Sequence, residues 1–101
     1  MLRLHDIDFD LARITAAARR VGVRRMYLFG SILTDRFGPQ SDIDLLVETD
    51  PLHPPGLLAL GGLQMDLSEL LGRTVHIPLL GGVPVSERSA VLARARMLDA
   101  A

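Results

Sequence analysis

Apolar residues recur along this chain in two periods, and the switches between them mark its elements. From Asp8 to Val21, the positions Leu11, Ile14, Ala18 and Val21 fall at helical spacing, behind an aspartate cap and ahead of Gly22, which predicts a first helix. Val23 to Phe29 is a short apolar run interrupted only by Arg24 and Arg25, and it reads as a strand ending at Gly30-Ser31. Ile32 to Phe37 has room for about two turns of helix before Gly38-Pro39 stops it, and the β-branched and leucine run from Ile43 to Val47 predicts a buried strand.

The second half repeats the alternation. Pro51, Pro54 and Pro55 make the stretch from Thr49 to Gly56 a loop, because proline lacks the N–H that a helix or an inner strand requires. Leu60, Leu63, Leu67, Leu70 and Leu71 then mark a helix over Leu57 to Leu71, weakened at its start by Gly61-Gly62 and ended by Gly72. Thr74 to Leu80 predicts a third strand. After a Gly81-Gly82 turn, Ser86 is placed to cap a last helix carrying Val91, Leu92, Ala95 and Leu98. The predicted order is α-β-α-β-α-β-α, an α/β fold with α+β as the alternative, in which helices cover a small sheet.

With 101 residues the chain has the length of a single domain, expected over residues 1–101. Its 49% apolar and 23% charged residues are ordinary for a folded globular protein, which removes disordered and fibrous classes. No cysteine is present, so disulfides, thiolate nucleophiles and zinc–thiolate sites are excluded, and any metal must sit on oxygen or imidazole. A net charge of −1 gives no basic footprint for free nucleic acid. Met1 to Asp10 carries acids and no apolar leader core, and no run approaches the length of a membrane span, so the expectation is a cytoplasmic protein with neither nucleic-acid nor membrane partner.

Two short motifs carry candidate chemistry. Gly30-Ser31 stands where a strand hands over to a predicted helix, so turn N–H groups and a helix dipole would point at one spot suited to phosphate. Glycine admits the anion close to the backbone, and the Ser31 hydroxyl adds a donor. Beyond a gap of ten residues, Asp42 and Asp44 stand two apart at a strand entry, which puts both carboxylates on one face, about 6.5 Å apart along the backbone. Two like charges there repel each other unless a hard divalent cation such as Mg²⁺ joins them, so both are candidate metal ligands. A solvated strand edge blunted by charge is the structural alternative.

The runs Tyr27-Leu28-Phe29-Gly30-Ser31 and Asp35-Arg36-Phe37-Gly38-Pro39-Gln40-Ser41-Asp42-Ile43-Asp44-Leu45-Leu46-Val47-Glu48 resemble the signature of the minimal nucleotidyltransferase family, within the DNA polymerase β-like superfamily. The likeness continues in register through Leu71-Gly72-Arg73-Thr74-Val75 and the last helix. It implies a nucleotidyltransferase fold, with Asp42 and Asp44 as catalytic Mg²⁺ ligands and Gly30 and Ser31 as contacts to the triphosphate of ATP. The family's third carboxylate, expected in a Val-Asp-Leu setting, is replaced here within Val75-His76-Ile77. His76 is then either a site-facing proton acceptor or a half-buried strand residue. Arg36, on the predicted short helix, is a candidate phosphate or partner contact beside its reading as a solvated arginine.

The same resemblance implies attack of a hydroxyl on the α-phosphate of ATP. With 101 residues and no stretch left over for an acceptor domain, the expectation is an external acceptor, and minimal family members resemble antitoxins that transfer AMP to a helical HEPN-domain ribonuclease toxin. Two functional readings stand side by side: an AMP-transferring antitoxin of a HEPN partner, or a non-catalytic module that neutralises such a partner by binding. An α/β domain with no nucleotide site is the third.

Overall fold

The computed structural model describes residues 2–100. The chain opens on an antiparallel hairpin of β1 (Leu2–Leu4) and β2 (Ile7–Phe9), followed by α1 (Leu11–Arg20) and β3 (Val23–Phe29). A 3-10 turn at Gly30–Leu33 leads through an irregular loop to β4 (Ile43–Thr49), α2 (Leu57–Leu71) and β5 (Val75–His76). A second 3-10 turn, α3 (Val85–Ala93) and β6 (Arg96–Ala100) complete the described chain. The main sheet has the order β5-β4-β3-β6; β3 is antiparallel to β4 and β6, whereas β4 and β5 run parallel.

Side-chain alternation divides the sheet into two faces. Met26 and Leu28 of β3, Ile43, Leu45 and Val47 of β4 and Val75 of β5 turn one way and are buried against Ile14, Ala17 and Ala18 of α1 and Leu63, Leu67 and Leu71 of α2. The hairpin adds Ile7 and Phe9 to this core. Each fully buried Leu or Ile contributes about 1.5–3 kcal/mol over its exposed form, so this layer fixes the position of β4. The opposite face is thinner. There Tyr27, Leu46 and Leu80 pack with Phe29, Val91, Leu92 and Ala95, so α3 and the chain after it cover part of the sheet and leave the start of β4 open.

Local signals explain the helix ends. The Asp10 carboxylate accepts the Arg13 N–H at 3.2 Å, and Arg19 and Arg20 sit in the last turn of α1, where cations favour the helix dipole. Gly72 closes α2 in the left-handed conformation at φ 67°.

Four expectations need correction. The first helix begins at Leu11, after Asp8 and Phe9 have paired in the hairpin. The predicted helix from Ile32 to Phe37 is only the 3-10 turn, because Thr34 turns extended (φ −129°, ψ 167°) and its hydroxyl donates to the Ser31 carbonyl and accepts the Arg36 N–H. The strand expected over Thr74 to Leu80 is regular only at Val75–His76: Pro78 has no N–H, and β4 continues alongside by donating the Val47 N–H to the Pro78 carbonyl and bridging Leu79. Pro84 rather than Ser86 precedes the last helix, which ends at Ala93. Leu98 belongs to β6, where pairing with β3 overrides its helical spacing from Val91 and Ala95. The order α-β-α-β-α-β-α thus gains a hairpin and a last strand and loses its second helix, while the α/β class with a mixed sheet under helices stands.

Candidate nucleotide and metal site

The site follows from the alternation of β4. Since Ile43, Leu45 and Val47 point into the main core, Asp44 must face the other side of the sheet, and Asp42 lies just ahead of the strand. Asp44 is flanked by Phe29 on β3 and His76 on β5, because both are its partners in register. The His76 Nε2 lies 2.9 Å from Asp42 Oδ2, so the imidazole N–H donates to that carboxylate. Both residues are exposed, whereas Asp44 is half-buried.

The Asp44 carboxylate has no hydrogen-bond or ion-pair partner among the described residues. Burial pushes its pKa above the ordinary carboxylate value; the charge of His76 pulls it back, and the charge of Asp42 pushes it further up. Gly30 stands directly beside this carboxylate: at φ 82° it occupies backbone space that a side chain resists, and a Cβ there would lie 3.1 Å from Asp44 Oδ2. The close approach of turn and carboxylate thus requires glycine.

A half-buried carboxylate without a partner, beside a second carboxylate, is a donor set that fits a divalent cation. Among the described residues no three acidic, histidine or cysteine side chains form a complete cage. That suits Mg²⁺, which takes one or two protein carboxylates and fills its remaining positions with water and phosphate oxygens. Ser31, in the same 3-10 turn as Gly30 and directly after it in the chain, is half-buried. The turn is too short to build a helix macrodipole, so the dipole expected behind Gly30-Ser31 is replaced by a few local N–H groups. Arg36 is not drawn in: it lies beyond the turn, exposed, and its side chain makes no hydrogen bond or ion pair among the described residues.

Spacing alone does not reveal what holds Asp42. Arg73 donates to the carbonyls of Gly38 and Ser41, 35 and 32 residues earlier in the chain, and only the fold brings these together.

Residues 13–96 match the nucleotidyltransferase domain family. The chain belongs to that family. No curated protein matches the sequence. Among solved structures, this nucleotidyltransferase domain is similar to a protein provisionally designated a minimal nucleotidyltransferase, with 33% identity over 86% of this chain and 94% of that one, at a TM-score of 0.67. A chain from a toxin–antitoxin complex with AMP-PNP superposes at a TM-score of 0.72, with 21% identity over 92% of this chain and 75% of that one. A chain from the complex of tri-AMPylated Shewanella oneidensis HEPN toxin with MNT antitoxin superposes at 0.63, with 22% identity over 90% and 70%. Among the described residues of the nucleotidyltransferase domain, no helix is long and apolar enough to cross a membrane.

Proposed function

We propose that this protein is an antitoxin that transfers AMP from Mg-ATP to a hydroxyl on a HEPN-domain partner. The observation that carries this reading is the meeting of Asp42, Asp44 and His76 beside a glycine turn at which a Cβ would lie 3.1 Å from the Asp44 carboxylate. Membership of the nucleotidyltransferase family supports the reaction class, and the fold shared with chains of toxin–antitoxin complexes, one of them holding an AMPylated HEPN toxin, supports the choice of partner.

In the proposed reaction a hydroxyl oxygen attacks the α-phosphorus of ATP, a new O–P bond forms, and the bond to the bridging oxygen breaks as pyrophosphate leaves. Asp42 and Asp44 would hold Mg²⁺, which when bound supplies positive charge to the phosphate oxygens. Gly30 keeps the turn clear of side-chain bulk where the triphosphate would lie, and the Ser31 hydroxyl is a donor for one of its oxygens. His76 donates through Nε2 to the Asp42 carboxylate, which leaves Nδ1, when unprotonated, as the candidate acceptor for the proton of the attacking hydroxyl.

The binding-module reading is favoured by one feature, the imidazole standing where the family's third carboxylate is expected. Calorimetric titration of ATP, with and without Mg²⁺, into the wild type and an Asp42→Asn, Asp44→Asn double variant separates the two. Mg²⁺-dependent binding lost in the double variant is the expected result. Wild-type protein that binds no ATP at any Mg²⁺ concentration, yet still binds and inhibits a HEPN partner, would sink the enzymatic reading.

A further inference from the structure

Asp42 carries proposed metal-binding chemistry from a position that is itself irregular: Ser41 and Asp42 lie outside any strand, in an exposed loop that regular hydrogen bonding does not order. A carboxylate so placed costs conformational entropy each time it is brought to a cation, unless something else orders its backbone. The lead-in to β5 does this at three successive points. Arg73 Nη2 donates to the Gly38 carbonyl at 2.5 Å and to the Ser41 carbonyl at 2.6 Å. The carbonyl of the next residue, Thr74, accepts the Ile43 N–H at 2.9 Å. The peptides on both sides of Asp42 are therefore held by consecutive residues, and His76 then holds the carboxylate itself.

The guanidinium is also fixed from behind. Its Cζ lies 4.5 Å from the centroid of the Phe37 ring, a cation–π contact, and Phe37 is buried and in turn 4.8 Å from the ring of His5. His5 Nε2 lies 2.9 Å from the carbonyl oxygen of Ile32, which ties this stack to the 3-10 turn that carries Gly30 and Ser31. Within the loop, Ser41 closes a small ring of its own: its N–H donates to the Gly38 carbonyl, and its hydroxyl accepts the Gly38 N–H. One side chain thus ties together the acidic loop, the glycine turn and the strand that bears His76.

We propose that Arg73 is a positioning residue, which sets the backbone on either side of Asp42 so that its carboxylate is pre-aimed for the divalent cation. This rests on the reading of Asp42 and Asp44 as a metal site. Arginine suits the task because its planar group stacks on an aromatic ring while its N–H groups reach the carbonyls; lysine keeps the charge and the donors but not the planar stack.

The test uses the full chain with Mn²⁺ as probe, read by the electron paramagnetic resonance signal of the free ion, together with amide hydrogen exchange. Removal of a group that orients a metal ligand typically weakens the site by about tenfold or more, and this is the loss expected for Arg73→Ala. Arg73→Lys should fall between Arg73→Ala and wild type. Guanidinium ion, far below denaturing concentrations, should restore Mn²⁺ binding to Arg73→Ala and leave Asp42→Asn unchanged, a recovery that a general loss of packing would not show. Exchange should quicken at Gly38, Ser41 and Ile43 while Leu45 and Val47 stay protected. Wild-type affinity and wild-type exchange in Arg73→Ala, or in Arg73→Lys if the alanine variant does not fold, would overturn the proposal, as would a loss that guanidinium cannot restore. If wild-type protein takes up no Mn²⁺, the metal-site reading fails, and exchange at Gly38 and Ser41 alone decides whether Arg73 orders the loop.

Discussion

The Nε2 of His76 stands 2.9 Å from Oδ2 of Asp42, while the backbone of His76 is in register with Asp44. One imidazole therefore spans both carboxylates of the candidate site, bonding one and facing the other across the parallel strand pair. This is a partner that can offset some of their mutual repulsion without a metal.

Replacing that imidazole with a third acid should reverse the balance. In His76→Asp, three carboxylates crowd the start of β4, and like charges on neighbouring strands destabilise, by about 1 kcal/mol here. That loss corresponds to a thermal midpoint about 4–8 °C lower without metal for a chain of this size. Added Mg²⁺ should more than recover it, because a ligand that binds only the folded state stabilises it. Thermal denaturation with and without Mg²⁺ checks this. A Mg²⁺-induced rise no larger than in wild type would count against the metal site, and transfer activity, where a baseline is measurable, should increase.

Gly30→Ala tests the close approach of turn and carboxylate. The residue sits at φ 82°, and its new Cβ would press against Asp44 Oδ2 from 3.1 Å. Backbone strain at positive φ costs about 1–2 kcal/mol for an L-residue. Urea denaturation should show that loss, and Mg²⁺-dependent ATP affinity should fall with it, since Asp44 must move. An unchanged denaturation midpoint would contradict the described turn.

Alkaline titration reads the other end of the same sheet face. Tyr27 is the only tyrosine and the chain has no tryptophan, so ultraviolet phenolate absorbance reports this residue alone. Its pKa lies above the ordinary 10.0 because burial disfavours the phenolate first and the Glu48 carboxylate beside it adds to the effect, with Arg25 opposing. The group keeps its proton in the folded state longer than in the unfolded one. The stability it contributes is therefore fully present below pH 10 and lost as pH rises through the folded-state value. The expected result is a titration midpoint above that of free tyrosine, which moves down on unfolding in urea; a midpoint at or below the free value would show that Tyr27 is not buried.

The elements legible in the sequence were those with enough residues to establish a period. The strand Val23–Phe29 and the helix Leu57–Leu71 stand within the bounds that their apolar spacing predicts, because each also buries the face that the spacing defines. The hairpin was not legible: its strands have three residues each, and its turn uses His5 and Asp6 at φ 49° and 61° in place of the glycine-bearing pairs that announce such turns. The last strand was hidden by an accident of spacing, since Leu98 continues the rhythm of Val91 and Ala95, and only the pairing of its neighbours Arg96, Met97 and Asp99 with β3 distinguishes the two conformations. In the candidate site, Asp42 and Asp44 were visible because two acids at the entry to an otherwise apolar strand repel each other. His76 drew notice by interrupting an apolar run. Arg73 and Phe37 stood in runs that resemble the family signature, but their contact with each other and with the acidic loop had no signal of its own, as it exists only between segments more than thirty residues apart.

Because Arg73, Thr74 and His76 each touch a different point between Gly38 and Ile43, the short stretch leading into β5 works as a ruler laid against the acidic loop. Its length is not free to vary. One residue added or removed between Gly72 and His76 would shift every mark at once, turn the histidine to the other face of the sheet and bring Val75 or Ile77 toward the carboxylates. The loop from Asp50 to Gly56 is tied to another strand at its first residue, where the Asp50 carboxylate accepts from Arg24 at 3.0 Å, and its prolines carry no such marks among the described residues. Changes in chain length are therefore far easier to accommodate at the prolines than at the turn after α2.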